Sequence, residues 1–123
     1  MSYSDKQWDF LRNVGSLISY IGMIGWKATG GDLLRSYAEQ QRKYDAGLSK
    51  AKPGTGRHEK KMAIDLNFWD ESGDYVPGLN LTQEDLIKKM KPIADYWEGL
   101  SENNCAGLYF ESIFDPYHFE RMD

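Results

Sequence analysis

The segment Met62–Trp69, MAIDLNFW, restricts the fold of this 123-residue chain more than any other stretch. Apolar residues alternate along it with Asp65 and Asn67, which is the period of a β-strand with one buried face. Such a strand needs neighbouring strands and a second layer that covers its apolar face. We therefore expect an α+β fold, in which about three helices pack against a small antiparallel sheet and Asp65 lies on the face opposite the core.

The first helix is expected over residues 5–24. Ser4 and Gln7 have the spacing of a capping box, in which each side chain bonds a backbone N–H of the other residue. The apolar residues that follow at helical spacing are Leu11, Val14, Ile18 and Ile21. Because they form one stripe along the helix, we expect them to face the core.

Two further helices and a terminal strand region are expected. A capping box at Ser36 predicts a helix as far as Tyr44, and Thr82 with its capping partner predicts another. The core stripe of this third helix is Leu86, Met90, Ile93, Trp97 and Leu100. Pro92 should kink or restart the helix, because proline lacks a backbone N–H. Residues 107–122 are suited to one or two antiparallel strands.

Composition limits the class of protein. A single cysteine, Cys105, cannot form an internal disulfide, so a reducing cytoplasm is the expected compartment. The net charge of -4 gives no general attraction to nucleic acid. The apolar stretch 14–26 is shorter than the roughly 20 residues of a membrane span, and the N-terminus lacks a signal-peptide pattern. We expect one monomeric domain over residues 1–123, without stable membrane insertion.

An incomplete zinc-peptidase motif precedes the predicted strand. His58 and Glu59 begin an HExxH pattern, but Met62 stands where the second histidine would be. That motif requires two histidines four residues apart on one helix face, whereas this segment continues as a strand. Glu59 is therefore interpreted as a loop carboxylate, and the other histidine of the chain, His118, lies far along the sequence.

A different set of metal ligands is available. His58, Asp65 and His118 would form a His2Asp set, which suits Zn²⁺ and leaves a tetrahedral position open for water. A turn through residues 116–117 would bring Asp115 back toward a metal bound by His118. From the residues alone two interpretations stay open: the set binds zinc, or the histidines are ordinary hydrogen-bonded residues and no metal binds.

These segments resemble the LAS-type zinc peptidases, which include D-alanyl-D-alanine carboxypeptidases and dipeptidases and phage L-alanyl-D-glutamate endopeptidases. GRHEKKMAID at 56–65 is similar to the first signature of that family, and DPYHFE at 115–120 is similar to the second. LRSYAEQQ at 34–41 is similar to a segment that precedes the first ligand. Gly56 and Lys61 depart from the serine and glycine that are usual at these positions.

The resemblance implies roles for five residues. His58, Asp65 and His118 would bind zinc. Asp115 would be the catalytic base, which takes a proton from the attacking water and passes it to the leaving amine. Arg35 would contact the substrate or the developing oxyanion, and its alternative role is a structural salt bridge.

The resemblance also implies a function. The chain would be a zinc-dependent hydrolase of peptidoglycan that cuts the L-alanyl-D-glutamate bond of the stem peptide, as a bacteriophage endolysin does. Such an enzyme would wait in the host bacterial cytoplasm until its release to the cell wall, and no separate cell-wall-binding domain is expected. The alternatives are a D-alanyl-D-alanine carboxypeptidase or dipeptidase, and a non-catalytic zinc-stabilised binding or phage structural protein. Asp115 favours catalysis, because a purely structural site needs no base.

Overall fold

The fold is α+β, as the sequence predicted. The computed structural model describes residues 1–31 and 62–123. Within them the helices are α1 (Tyr3–Met23) and α2 (Gln83–Leu100), and the strands are β1 (Lys27–Gly30), β2 (Ala63–Trp69), β3 (Asn104–Ala106) and β4 (His118–Arg121). Short 3₁₀ helices lie at Val76–Leu79 and Gly107–Tyr109. The helix predicted from Ser36 to Tyr44 lies outside the described residues.

The described strands form one antiparallel sheet in the order β1-β2-β4-β3, so β2 and β4 are neighbours at its centre. In their pairing Ile64 lies opposite Phe119, and Asp65 lies opposite His118. Directly opposed residues of an antiparallel pair point to the same face of the sheet. Ile64 and Phe119 therefore share the core face, and Asp65 and His118 share the other face.

The alternation predicted for β2 is confirmed. Ile64, Leu66 and Phe68 are buried, whereas Asp65 and Asn67 are half-buried. The apolar face of β2 contributes to the core cluster together with both helices. Asp65 is thus held by a strand whose register is fixed by the burial of its neighbours.

The prediction for the C-terminal region is confirmed in part. β4 lies within residues 107–122, but β3 precedes that range. The segment Gly107–Tyr109 was expected to be extended and forms a 3₁₀ turn instead. The carbonyl oxygen of Gly107 accepts hydrogen bonds from the backbone N–H groups of Phe110 (3.2 Å) and Asp115 (3.1 Å). These bonds override the strand propensity of the segment.

The start of α1 differs from the prediction. Ser2, not Ser4, is the N-cap: its hydroxyl accepts from the backbone N–H of Asp5 (3.1 Å), and the Asp5 carboxylate accepts from the Ser2 N–H (3.1 Å). Two overlapping capping patterns are present in the sequence. The earlier one places a carboxylate in the first turn, where the positive end of the helix dipole favours it over the neutral Gln7.

The buried face of α1 is also rotated from the predicted stripe. The residues that face the core are Phe10, Val14, Leu17 and Ile21. Leu11 and Ile18 were predicted to be buried and are 58% and 52% exposed. Val14 and Ile21 belong to both the predicted and the observed stripe. In the observed orientation of the helix, the Phe10 ring packs against the Trp97 ring. Within residues 1–31 and 62–123, no helix has the length and apolar character needed to cross a membrane.

The predictions for α2 are largely confirmed. The Thr82 hydroxyl accepts from the Asp85 N–H (3.2 Å), and Met90, Ile93 and Trp97 are fully buried. The helix does not restart at Pro92, because it continues from Gln83 to Leu100 with this proline inside it. Proline removes one hydrogen bond of the helix ladder. The buried residues on both sides of it hold the helix together.

Trp97 joins α2 to the sheet. Its ring packs edge-on against Phe10 (5.6 Å between centroids) and Phe119 (6.0 Å). Its indole N–H donates to the carbonyl oxygens of both Cys105 and Glu120, at 3.2 Å each. A single side chain therefore fixes the helix to the point where β3 pairs with β4.

Replacing Trp97 with phenylalanine should lower the free energy of unfolding by about 2–4 kcal/mol. The change removes the donor shared by two carbonyl oxygens and leaves part of the indole volume empty. Urea denaturation followed by circular dichroism measures the loss. Trp8→Phe is the control, because Trp8 is 60% exposed and its replacement should change stability by less than about 0.5 kcal/mol. Equal losses for the two variants would contradict the role of Trp97.

Candidate metal centre

Asp65 and His118 meet across the central strand pair. Their backbones are directly opposed, and Nδ1 of His118 lies 2.8 Å from Oδ1 of Asp65. The His118 side chain is 10% exposed and that of Asp65 is 27% exposed. Both side chains point away from the core face, so the sheet presents them at a partly covered surface.

A turn brings Asp115 to the same place. The backbone N–H of His118 donates to the Asp115 carbonyl oxygen (3.2 Å), which closes the turn through Pro116 and Tyr117. Oδ2 of Asp115 lies 3.8 Å from Nδ1 of His118. Asp65, Asp115 and His118 each offer a ligand atom, and these three atoms lie within 4.8 Å of one another.

The three groups fit a zinc ion in chemistry and in spacing. Imidazole nitrogen and carboxylate oxygen are usual zinc ligands, held about 2.0–2.2 Å from the metal. Two ligands of one tetrahedral zinc ion then lie about 3.3–3.6 Å apart. The distances from His118 Nδ1 to the two carboxylates, 2.8 Å and 3.8 Å, bracket this spacing. Asp65, Asp115 and His118 are therefore side chains that could hold a metal ion.

The second ring nitrogen of His118 has a separate partner. Nε2 lies 2.7 Å from Oε1 of Glu120, and both residues are buried. No role was predicted for Glu120 from the sequence. A signal for this contact was nevertheless present, because residues two apart on a strand share a face and His118 and Glu120 have that spacing.

Two effects oppose each other at the His118 ring. Burial lowers the pKa of His118, but hydrogen bonds to Asp65 and Glu120, with the charges of these carboxylates, raise it from 6.5 to about 9. At neutral pH the metal-free ring is therefore protonated on both nitrogens, and each N–H donates to a carboxylate. A metal that binds Nδ1 must displace that proton, so binding of such a metal at neutral pH would release it.

Gly107 allows the chain to lie against the turn that carries Asp115 and His118. A β-carbon built at Gly107 would be 2.1 Å from the Asp115 carbonyl oxygen and 3.0 Å from the His118 β-carbon. No L side chain fits in that space. Phe110, which directly follows the 3₁₀ helix Gly107–Tyr109, has its ring near the His118 imidazole, with 5.8 Å between the two ring centroids.

The structure brings together three of the five predicted site residues. Asp65, Asp115 and His118 form the cluster described above. The predicted ligand His58 and the predicted substrate contact Arg35 lie outside the described residues. Their roles stay predictions.

Comparison with known proteins identifies the fold. No protein-family model and no curated protein matches this chain. The L-Ala D-Glu endopeptidase ChiX of Serratia marcescens superimposes with a TM-score of 0.68 at 19% sequence identity, over 93% of this chain and 78% of ChiX. The LD-carboxypeptidase LdcB, whose structure concerns peptidoglycan recognition, gives 0.55 at 18% identity, over 93% of this chain and 64% of LdcB. The chain has the fold of these two peptidases. This confirms the fold that the resemblance implied.

Replacing Gly107 with alanine should displace the turn from Asp115 to His118. The added methyl group overlaps the Asp115 carbonyl, and overpacking of this kind typically costs about 1–3 kcal/mol. We expect large NMR shift changes at both residues and a matching loss of stability. Gly99→Ala is the matched control, because nothing lies within 4 Å of its β-carbon position in α2. A Gly107→Ala spectrum as close to wild type as that of the control would contradict the steric account.

Proposed function

We propose that the protein is a zinc-dependent peptidoglycan peptidase that hydrolyses the L-alanyl-D-glutamate bond of the stem peptide. The observation that carries the proposal is the convergence of Asp65, Asp115 and His118 on one point. Two further observations support it: the fold is shared with ChiX, an L-Ala D-Glu endopeptidase, and the sequence resembles the LAS-type zinc peptidases.

The zinc ligands in this proposal are His58, Asp65 and His118. The latter two are already within hydrogen-bond distance of each other, and His58 is assigned by the resemblance alone. When bound, zinc would lower the pKa of a water molecule to about 7 and would polarise the carbonyl that is attacked. The set of three protein ligands leaves one position for that water.

Asp115 is proposed as the general base. Its side chain is 49% exposed, compared with 27% for Asp65 and 10% for His118, so it is the member of the cluster most open to water and substrate. Its carboxylate accepts a proton from the attacking water and then donates it to the leaving amine. Asp65 and His118, which are less exposed, would help to hold the metal, and Asp115, which is more exposed, would transfer the proton.

Arg35 is proposed to supply positive charge to the substrate. A guanidinium group can bind a peptide carboxylate or stabilise the negative charge that develops on the attacked carbonyl oxygen. The support is the similarity of LRSYAEQQ at 34–41 to the family segment. A structural salt bridge is the competing role for this residue.

The second candidate function is carboxypeptidase or dipeptidase action on the same stem peptides, at the D-alanyl-D-alanine bond. Its support is that LdcB, which shares the fold, is a carboxypeptidase, although the LD bond in the name of LdcB differs from a D-alanyl-D-alanine bond. The two candidates use the same site residues and differ in the bond that is cut. Product masses separate them directly.

We further propose that the protein works in the manner of a phage endolysin. It would accumulate as a monomer in the host cytoplasm and reach the cell wall on release. The support is the resemblance of the AIDLNF stretch at 63–68 to short phage members of the LAS-type family.

Digestion of purified sacculi tests the proposed function. Zinc-loaded wild-type protein should release fragments with a new N-terminal D-glutamyl residue, detected by mass spectrometry. Asp115→Ala should keep its zinc and lose about 10²- to 10⁴-fold in rate, because a general base contributes about that factor. The control is Asp74→Ala, which removes an exposed carboxylate in the turn after β2 and should cleave at the wild-type rate.

Three outcomes would count against this account. Release of terminal alanine alone would favour the carboxypeptidase candidate. Zinc-loaded wild-type protein without any new fragment would favour a non-catalytic binding or structural role. An active Asp115→Ala variant would remove Asp115 from the mechanism.

A further inference from the structure

We propose that Glu120 is the positioning residue of the metal centre: it holds His118 in the tautomer that directs Nδ1 to the metal. The proposal rests on the proposed function for the presence of zinc, and it adds a role for a residue that the mechanism above does not use. Glu120 touches neither substrate nor metal in this account. It acts through the imidazole ring.

The contacts of the His118 ring define two sides. On the Nδ1 side lie two carboxylates, with Asp65 at 2.8 Å and Asp115 at 3.8 Å. On the Nε2 side Glu120 lies at 2.7 Å and belongs to no cluster of three ligand groups among residues 1–31 and 62–123. The Nδ1 side therefore offers more carboxylate ligands to a cation. On the Nε2 side, the acceptor within the described part of the chain is the buried carboxylate of Glu120.

The partners of the two ring nitrogens determine which tautomer of the imidazole is favoured. A neutral ring carries its proton on one nitrogen and has its lone pair on the other. Glu120 accepts a hydrogen bond from Nε2–H and thereby favours the tautomer in which the Nδ1 lone pair is free to bind a metal. Carboxylates bound to metal-ligating histidines in this way commonly orient the ring and strengthen the ligand.

The backbone holds Glu120 rigidly enough for this role. It lies opposite Ala63 in β2 and opposite Cys105 in β3, so β4 is paired on both sides at this residue. Its carbonyl oxygen also accepts from the indole N–H of Trp97 (3.2 Å). The Glu120 side chain is 11% exposed, which leaves little freedom for other rotamers.

Zinc affinity and ring tautomer together test the proposal in the full-length chain. Affinity is measured by competition with a chromophoric chelator, and the tautomer by long-range ¹H–¹⁵N NMR of the His118 ring. The variants are Glu120→Ala, which removes the acceptor, and Glu120→Gln, which keeps an acceptor oxygen without the charge. The matched control is Glu102→Ala, because Glu102 is an exposed glutamate close to the end of α2.

Glu120→Ala should raise the Kd for zinc about 10- to 100-fold, which is the usual effect of removing such a partner. Glu120→Gln should recover most of that loss, and Glu102→Ala should match wild type. With zinc bound, the wild-type ring should carry its proton on Nε2. Glu120→Ala should show a mixture of tautomers.

Other results would overturn the proposal. An unchanged Kd in Glu120→Ala, or a wild-type ring protonated on Nδ1, removes Glu120 from this role while leaving the peptidase proposal intact. If Glu120→Ala does not fold, Glu120→Gln and the wild-type tautomer decide. A wild-type protein that takes up no zinc contradicts the proposed function and, with it, the role of Glu120 in directing Nδ1 to the metal.

Discussion

The antiparallel pairing of β2 with β4 places Asp65 directly opposite His118, and the geometry of the site follows from that register. A shift by one residue would turn one of the two side chains toward the core. The burial of Ile64 and Phe119 on the opposite face opposes such a shift, because it would expose apolar area. The hydrophobic core therefore sets the distance between two polar groups that do not belong to it.

The alternation of β4 couples that core to the site. Phe119 packs against Phe68 and Trp97, while its neighbours His118 and Glu120 face the other side of the sheet. The carboxylate–imidazole–carboxylate arrangement is thus built on a backbone that is fixed by aromatic packing. The Asp65 and Glu120 carboxylates raise the pKa of the buried imidazole, which favours its protonated, cationic form in the metal-free protein. A bound zinc ion would supply more charge in its place.

The features of the site that depend on strand period were predictable from the sequence. Asp65 on the polar face of a strand, and a turn that returns Asp115 toward His118, both follow from local patterns. The distances between them could not be predicted, because the register of β2 with β4 depends on residues far apart in the chain. The roles of His58 and Arg35 stay predictions.

The wrong predictions in other parts of the fold have local causes. In α1 two capping patterns overlap, so the sequence alone did not determine the first residue of the helix. Two apolar stripes share Val14 and Ile21, so the sequence alone did not determine the buried face either. In the observed orientation of the helix, Phe10 packs against Trp97. The segment Gly107–Tyr109 has residues that favour a strand. It forms a 3₁₀ turn instead, because the Gly107 carbonyl oxygen accepts hydrogen bonds from the backbone N–H groups of Phe110 and Asp115. The contact of Glu120 with Nε2 of His118 required only the two-residue period of β4.

We propose that Asp65 and His118 bind one zinc ion. Anomalous X-ray scattering at the zinc edge, from crystals of the zinc-loaded protein, tests it most directly. We expect a single strong peak about 2.0–2.2 Å from both Oδ1 of Asp65 and Nδ1 of His118. A peak bound through Nε2 of His118, a peak elsewhere in the molecule, or no peak at a saturating zinc concentration would contradict it.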